Sequence, residues 1–359
     1  MTDTEPTKTT TAATPASVPT AAAPTTATAT TEEVKKDVDP APPAPQPAAA
    51  PVPTTTTATT AAEPAKTAPT QAPGTEKPTP TETKKEEPVE PQNPLTERFT
   101  QAEWAALKEF RKQLPDIFAA AYDEKPDAKT TPITLWGVKI DPTNPVNAKT
   151  SVVLMKFLRA RNLNPSAAHD MLLATLRWRD EFNVEAACKE SFPEDIFGSL
   201  GHIYGKDKEG RPVVYNVYGG NKDIKAVFGD VDRFLRWRVA FMEKGLETLD
   251  FETVDQQIQI HDYEGVSMTS RDANSKQAAS QASSIFGAHY PELLYKKFFI
   301  NVPSYLTWIF WLFKPILPAA TLAKMSVVGS GAYTIGKSLL PLIDANELPK
   351  RYGGKAEGF

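Results

Sequence analysis

The first 95 residues constrain this chain more than any later motif, because they hold nothing from which a core could be built. No aromatic residue precedes Phe99, and 19 of the 33 prolines lie at or before Pro94. Most of the rest is Thr, Ala, Glu and Lys. Such a segment cannot bury enough apolar surface to offset its ordering entropy, so residues 1–95 are expected to be disordered. The segment has no arginine and carries 12 acidic residues against 7 lysines. It therefore reads neither as a transit peptide nor, lacking an apolar centre, as a signal peptide.

Folding is left to the remaining residues, enough for one sizeable α/β domain with a helical extension. The formal charge is −4 overall and −5 in the first 95 residues, which leaves the rest near neutral. A nucleic-acid binder would carry a clustered basic surface, and none is visible. The single cysteine, Cys188, excludes a disulfide framework and fits a reducing compartment. It is expected to be a small core residue rather than a nucleophile. The longest apolar run, YLTWIFWLF at 305–313, is stopped by Lys314 and Pro315. A transmembrane helix needs about 20 apolar residues, so this run does not span a bilayer. Its Tyr305, Trp308 and Trp311 suit a membrane interface, its apolarity suits a buried helix, and a movable lid would satisfy both.

Local patterns give the elements. Thr100 and Glu103 in TQAE form a capping box that opens a helix through Trp104, Leu107 and Phe110. Asn164 and Pro165 open another, with Ala168, Met171, Leu172 and Leu176 at helical spacing. Residues 96–195 thus read as a helical part. From about residue 200 strands alternate with helices. VVYNVY at 213–218, QQIQIHDYEG at 256–265, KKFFINVP at 296–303 and KMSVVGS at 324–330 are the strands. That order implies an α/β fold with a mostly parallel sheet and helices packed on it.

Catalytic signatures are missing: no Walker A loop, no GxGxxG after a strand, no GxSxG and no HExxH. The glycines of VVGSGAY are weak evidence for a phosphate site. His169, His202 and His289 read as surface or turn residues. The strand QIQIHDYEG raises the sharper question. Ile258 and Ile260 face one way; Gln257, Gln259, His261 and Tyr263 face the other. That polar face either meets water or lines a pocket with polar contents. Tyrosinate can hold ferric haem from one side. With a free pKa near 10, Tyr263 would need a strong Lewis acid to stay ionised. The alternative is a hydrogen-bonded His and Tyr lining a pocket.

Several stretches together resemble a known family. FLRARNLNPSAAHDMLLATLRWRDEF, DKEGRPVVYNVYG, YPELLYKKFFINVP, FKPILPAATLAK and LPKRYGG occur in the order found in the CRAL-TRIO lipid-transfer family, the Sec-fourteen-like phosphatidylinositol transfer proteins of fungi. The resemblance runs from about residue 97 to 356 and makes 196–356 the lipid-binding domain. RFLRWRVAFMEKGLETLDF and HDYEGVSM further resemble the non-classical branch, Sec-fourteen homologue five, described as binding phosphatidylinositol and haem b. The resemblance implies Tyr263 as axial ligand of ferric haem, with His261 beside it as a possible second ligand, and Tyr218, Arg238 and Lys297 completing the site. Arg238 or Lys297 would then pair the haem propionates. It implies that Glu292, Thr321 and Lys324 contact the inositol phosphate, with the 305–313 helix as a gate opening on a membrane. The implied protein is no enzyme and works peripherally on a cytoplasmic membrane face, that of the endoplasmic reticulum or microsomes. A plain lipid exchanger without haem and a haem peroxidase are the alternatives.

Overall fold

The computed structural model describes residues 90–266, 273–303 and 322–359. Most of the expected disordered segment, the apolar run at 305–313 and Thr321 lie outside the described residues.

The helical part starts where the composition changes. A 3-10 turn at Thr96–Arg98 leads into α1 (Gln101–Lys112), and the capping box forms as read. The Thr100 hydroxyl accepts the Glu103 amide at 3.2 Å, while the Glu103 carboxylate accepts the Thr100 amide at 2.8 Å. α2 (Leu114–Ala121) follows, then a hairpin of β1 (Ile133–Leu135) and β2 (Val138–Ile140), which the sequence reading missed. Its two turn residues, Trp136 and Gly137, both take positive φ. α3 (Ala148–Ala160) is capped by Asn147, and α4 (Pro165–Phe182) by Asn164 with Pro165 at its first position. Apolar residues from α1 to α4 and from the hairpin close into one core, where Trp136 stacks on Phe157 at 5.6 Å.

Short helices α5 (Val184–Lys189) and α6 (Glu194–Phe197) lead to the sheet. Cys188 lies in α5 and is exposed, contrary to the expectation of a core residue. Val184 and Ala187 take the inward positions of that single turn and a half and leave the thiol outside. Partial desolvation of the thiol, followed by the nearby Glu243 charge, pushes its pKa up to about 11, so it is not an activated nucleophile.

Five strands form the sheet in the order β3-β4-β5-β6-β7: β3 (Gly201–Lys206), β4 (Pro212–Val217), β5 (Gln257–Asp262), β6 (Leu294–Ile300) and β7 (Met325–Val327). β4 to β7 run parallel, as the strand–helix alternation required; β3, unanticipated, pairs antiparallel with β4. The connections carry α7 (Ile224–Phe228) and α8 (Val231–Leu246) between β4 and β5, and α9 (Ala273–His289) between β5 and β6. Behind the sheet lies α10 (Ala332–Leu339). Its Ile335 and Leu339 join Ile343, Leu348 and Tyr352 against Val213, Tyr215, Ile258, Ile260, Phe298 and Ile300, a dry second core. The other face of the sheet is different in kind.

Candidate functional site

Every residue of β5 is buried, so the polar face of QIQIHD does not meet bulk water. Parallel register sets what stands beside it. Gln259 is flanked by Val214 and Lys297, and His261 by Asn216 and Phe299. Residues paired laterally in a sheet project to the same side. Lys297 and His261 therefore share one face, on neighbouring rows. α8 crosses this face at the start of β5, where the Gln257 amide donates to the Met242 sulfur at 3.4 Å.

His261 is the hub. Its Nδ1 lies 2.6 Å from the Tyr218 hydroxyl, and its Nε2 lies 3.2 Å from Gln259 Oε1 and 3.5 Å from Asn216 Nδ2. One neutral tautomer satisfies the two shorter contacts: the Tyr218 O–H donates to Nδ1, and Nε2–H donates to Gln259. Burial, reinforced by the Lys297 and Arg238 charges, holds its pKa well below the usual histidine range and keeps the ring neutral.

Tyr218 and Tyr263 meet because the loops after β4 and β5 pack backbone to backbone. Gly219 makes this possible, since a Cβ there would overlap the carbonyl oxygen of Glu264. The two phenol rings lie 4.9 Å apart, and Phe299 stands 5.4 Å from the His261 ring. Tyr218 keeps 38% of its surface accessible, yet surrounding protein raises its pKa, an effect partly offset by Arg238. A ring lining an enclosed space shows both properties.

Two cations look into the same space. Arg238, on α8, is 8% exposed and is held by the Phe286 and Phe241 rings at 4.9 and 5.5 Å. Lys297 lies over the Phe299 ring at 5.6 Å. Among the described residues neither forms a salt bridge with a carboxylate. Burial depresses both pKa values; that of Lys297 falls to about 8, with the Arg238 charge adding to the effect, while Tyr218 and Tyr290 partly offset the drop for Arg238. Five of the residues expected from the sequence, Tyr218, Arg238, His261, Tyr263 and Lys297, are thus brought together.

Glu292 and Lys324 form a second group, joined by an ion pair of 2.8 Å. They sit where β6 and β7 begin, whereas Tyr218 and Tyr263 follow the ends of β4 and β5. Parallel strands put these groups at opposite ends of the sheet, with Lys297 between them. Asn216, which the sequence reading passed over, belongs to the first group. Its signal was a lone amide in an otherwise apolar and aromatic strand. Among the described residues no group of three or more His, Cys, Asp or Glu side chains could hold a metal ion, and no helix is long and apolar enough to cross a membrane.

A parallel-rich sheet with one dry face and one polar, cation-bearing face, preceded by a helical part, matches two adjoining families. Residues 197–354 match the CRAL/TRIO domain, and residues 106–174 match the CRAL/TRIO N-terminal domain. The chain belongs to the CRAL/TRIO family. Within it, the chain is similar to three relatives named phosphatidylinositol transfer protein sfh5 or SFH5. That of Botryotinia fuckeliana is 35% identical over 69% of this chain and 57% of the relative. That of Neosartorya fischeri is 34% identical over 77% and 68%, and that of Cryptococcus neoformans var. neoformans serotype D 35% identical over 69% and 86%. The chain thus spans little more than half the length of the first of these. The solved crystal structure of Sfh5 superposes with a TM-score of 0.59 at 30% identity, covering 71% of this chain and 88% of that one. These relatives are named for transfer, not catalysis, in keeping with the missing catalytic motifs.

Proposed function

We propose that this chain binds phosphatidylinositol and exchanges it between membranes, and that the same pocket takes haem b. The observation that carries the reading is the pair of cations on the sheet's polar face, Arg238, buried, and Lys297, half-buried, without carboxylate partners among the described residues. Two unpaired charges are costly to bury, and an anionic ligand would offset that cost. Both phospholipid and haem present anionic groups joined to a large apolar body. The names of the similar proteins support the lipid half of the reading. Apolar area of two acyl chains would stabilise the bound lipid by about 25 cal/mol per Å², so exchange is feasible only at a bilayer surface.

For haem, the donor set fits. Arg238 and Lys297 would pair the propionates, and the Tyr263 phenolate would hold the iron. Bound haem would supply a ferric centre that resists reduction, because an anionic ligand favours the higher iron charge. Both ring nitrogens of His261 already have partners. Its part is to fix the Tyr218 hydroxyl beside Tyr263 and to keep a neutral, donor-lined wall next to the ligand. Glu292 and Lys324, at the other end of the sheet, would take the inositol phosphate; the resemblance adds Thr321, which lies outside the described residues.

The test is transfer of labelled phosphatidylinositol from phosphatidylcholine vesicles to acceptor vesicles. The chain is expected to move it, and replacing Glu292 and Lys324 by alanine is expected to cut the rate at least tenfold. Transfer unaffected by that double replacement would remove the headgroup assignment. No transfer at all by the folded protein would remove the lipid function.

A further inference from the structure

Glu292 is held in an unusual conformation from an unexpected direction. Its φ is +54°, the left-handed region that a residue with a Cβ enters at a cost of about 1 kcal/mol or more. Two donors fix its carbonyl there: Lys156 Nζ at 3.1 Å and Gln256 Nε2 at 3.2 Å. Lys156 belongs to α3, in the helical part, 136 positions away in sequence. Its side chain is 2% exposed, and it is anchored by Asp255 at 2.7 Å. A lysine is almost never buried so completely without a reason for its charge to be there. The next amide link continues the lock, since Gln257 N donates to the Leu293 carbonyl at 2.9 Å. With its backbone clamped, Glu292 sends its carboxylate out to Lys324, whose own carbonyl accepts the Lys297 amide at 2.8 Å.

We propose that Lys156 is the positioning residue of the headgroup site, clamping the Glu292 backbone in its left-handed turn so that the Glu292–Lys324 pair is presented at one fixed geometry. This rests on the reading of Glu292 and Lys324 as contacts of the inositol phosphate. The helical part then sets headgroup selectivity without touching the lipid. Asp255 keeps the Lys156 ammonium charged and aimed, and Gln256 supplies the second hydrogen bond to the same carbonyl. Loss of the clamp frees Glu292 to relax towards ordinary φ, which swings its carboxylate away from Lys324. Affinity for a lipid with no inositol is unaffected, because it does not use the Glu292–Lys324 contact.

The experiment measures the ratio of phosphatidylinositol to phosphatidylcholine captured by the full chain from vesicles containing both. Lys156→Met and Gln256→Ala are each compared with Lys324→Met, with folding checked by thermal melting. Lys156→Met is expected to lower the ratio about tenfold, the worth of one charge-assisted hydrogen bond, and Gln256→Ala by a smaller factor. In a Lys324→Met background, Lys156→Met is expected to cause no further loss, which a general packing role would not predict. If Lys324→Met lowers the ratio but folded Lys156→Met and Gln256→Ala do not, the positioning role is wrong and the headgroup site stands. If Lys324→Met itself leaves the ratio unchanged, the headgroup assignment fails and the proposal with it. Should Lys156→Met not fold, Gln256→Ala, which leaves the buried charge pair intact, decides the matter alone.

Discussion

At the scale of single residues, the pocket wall is governed by two groups whose charge depends on burial. Lys297 has its pKa pulled down to about 8 by burial and by Arg238. Below that pH it is a cation facing an anionic ligand; above it the charge and its attraction are lost. Affinity for an anionic ligand is therefore expected to fall as pH rises through about 8. Binding measured between pH 6.5 and 9.5 tests this, and Lys297→Met should bind weakly at every pH and show a flatter profile. Tyr218→Phe removes the 2.6 Å hydrogen bond to His261 and leaves a buried ring nitrogen unpaired. A loss of about 1–3 kcal/mol in denaturant unfolding is expected, because an unsatisfied buried acceptor keeps its full desolvation penalty.

At the scale of elements, the two turns that follow β4 and β5 decide whether the tyrosines meet. Gly219→Ala places a methyl against the Glu264 carbonyl. The loops must part, so stability should fall by roughly 2 kcal/mol or more and ligand binding should weaken with it. A second contact between elements is pH-sensitive. His289, at the end of α9, stacks on Trp178 of α4 at 4.4 Å, and burial followed by the Arg179 charge lowers its pKa to about 4. An unfolded histidine binds its proton near pH 6.5, so the unfolded state gains protons first as the pH drops. Stability is expected to decline between about pH 6.5 and 4, and His289→Phe, which keeps the stack, should remove that part of the decline. Melting temperatures across this window check it.

Legibility differed between elements for physical reasons. Capping chemistry is local, so Thr100, Glu103, Asn164 and Pro165 marked α1 and α4 correctly. Period-two alternation found β5 and sorted its two faces, but alternation cannot say whether a polar face meets water or an enclosed pocket. That was decided by the burial of every β5 residue, with α8 crossing the start of this face, a tertiary fact. β3 was missed because GHIYGK carries glycine at both its first and fifth positions, which reads as loop. The β1–β2 hairpin was missed although alternation flanks its Trp136–Gly137 turn. Asn216 became meaningful only through register, which sets it beside His261. Cys188 was misplaced because a six-residue helix hides two residues, not three. The clamp of Lys156 on Glu292 was not legible at all: nothing local in α3 marks a lysine that will be buried against a turn far along the chain.

At the scale of the molecule, one sheet separates two environments. Behind it lies a dry core closed by α10 and the segment through Tyr352; in front lies a wall of Gln, His, Tyr and two cations. A domain built only to be stable gains nothing from one buried and one half-buried cation that have no carboxylate partner among the described residues. The central claim is that this wall exists for an anionic, iron-bearing or lipid ligand, with Tyr263 as the residue that tells haem from lipid. The most direct measurement is the visible absorption spectrum of the purified chain after haemin is added and excess removed, beside Tyr263→Phe. The account predicts a Soret band with high-spin ferric tyrosinate features in the parent chain, lost in Tyr263→Phe while phosphatidylinositol transfer survives. A parent chain that takes up no haemin, or a Tyr263→Phe variant with an unchanged spectrum, would contradict it.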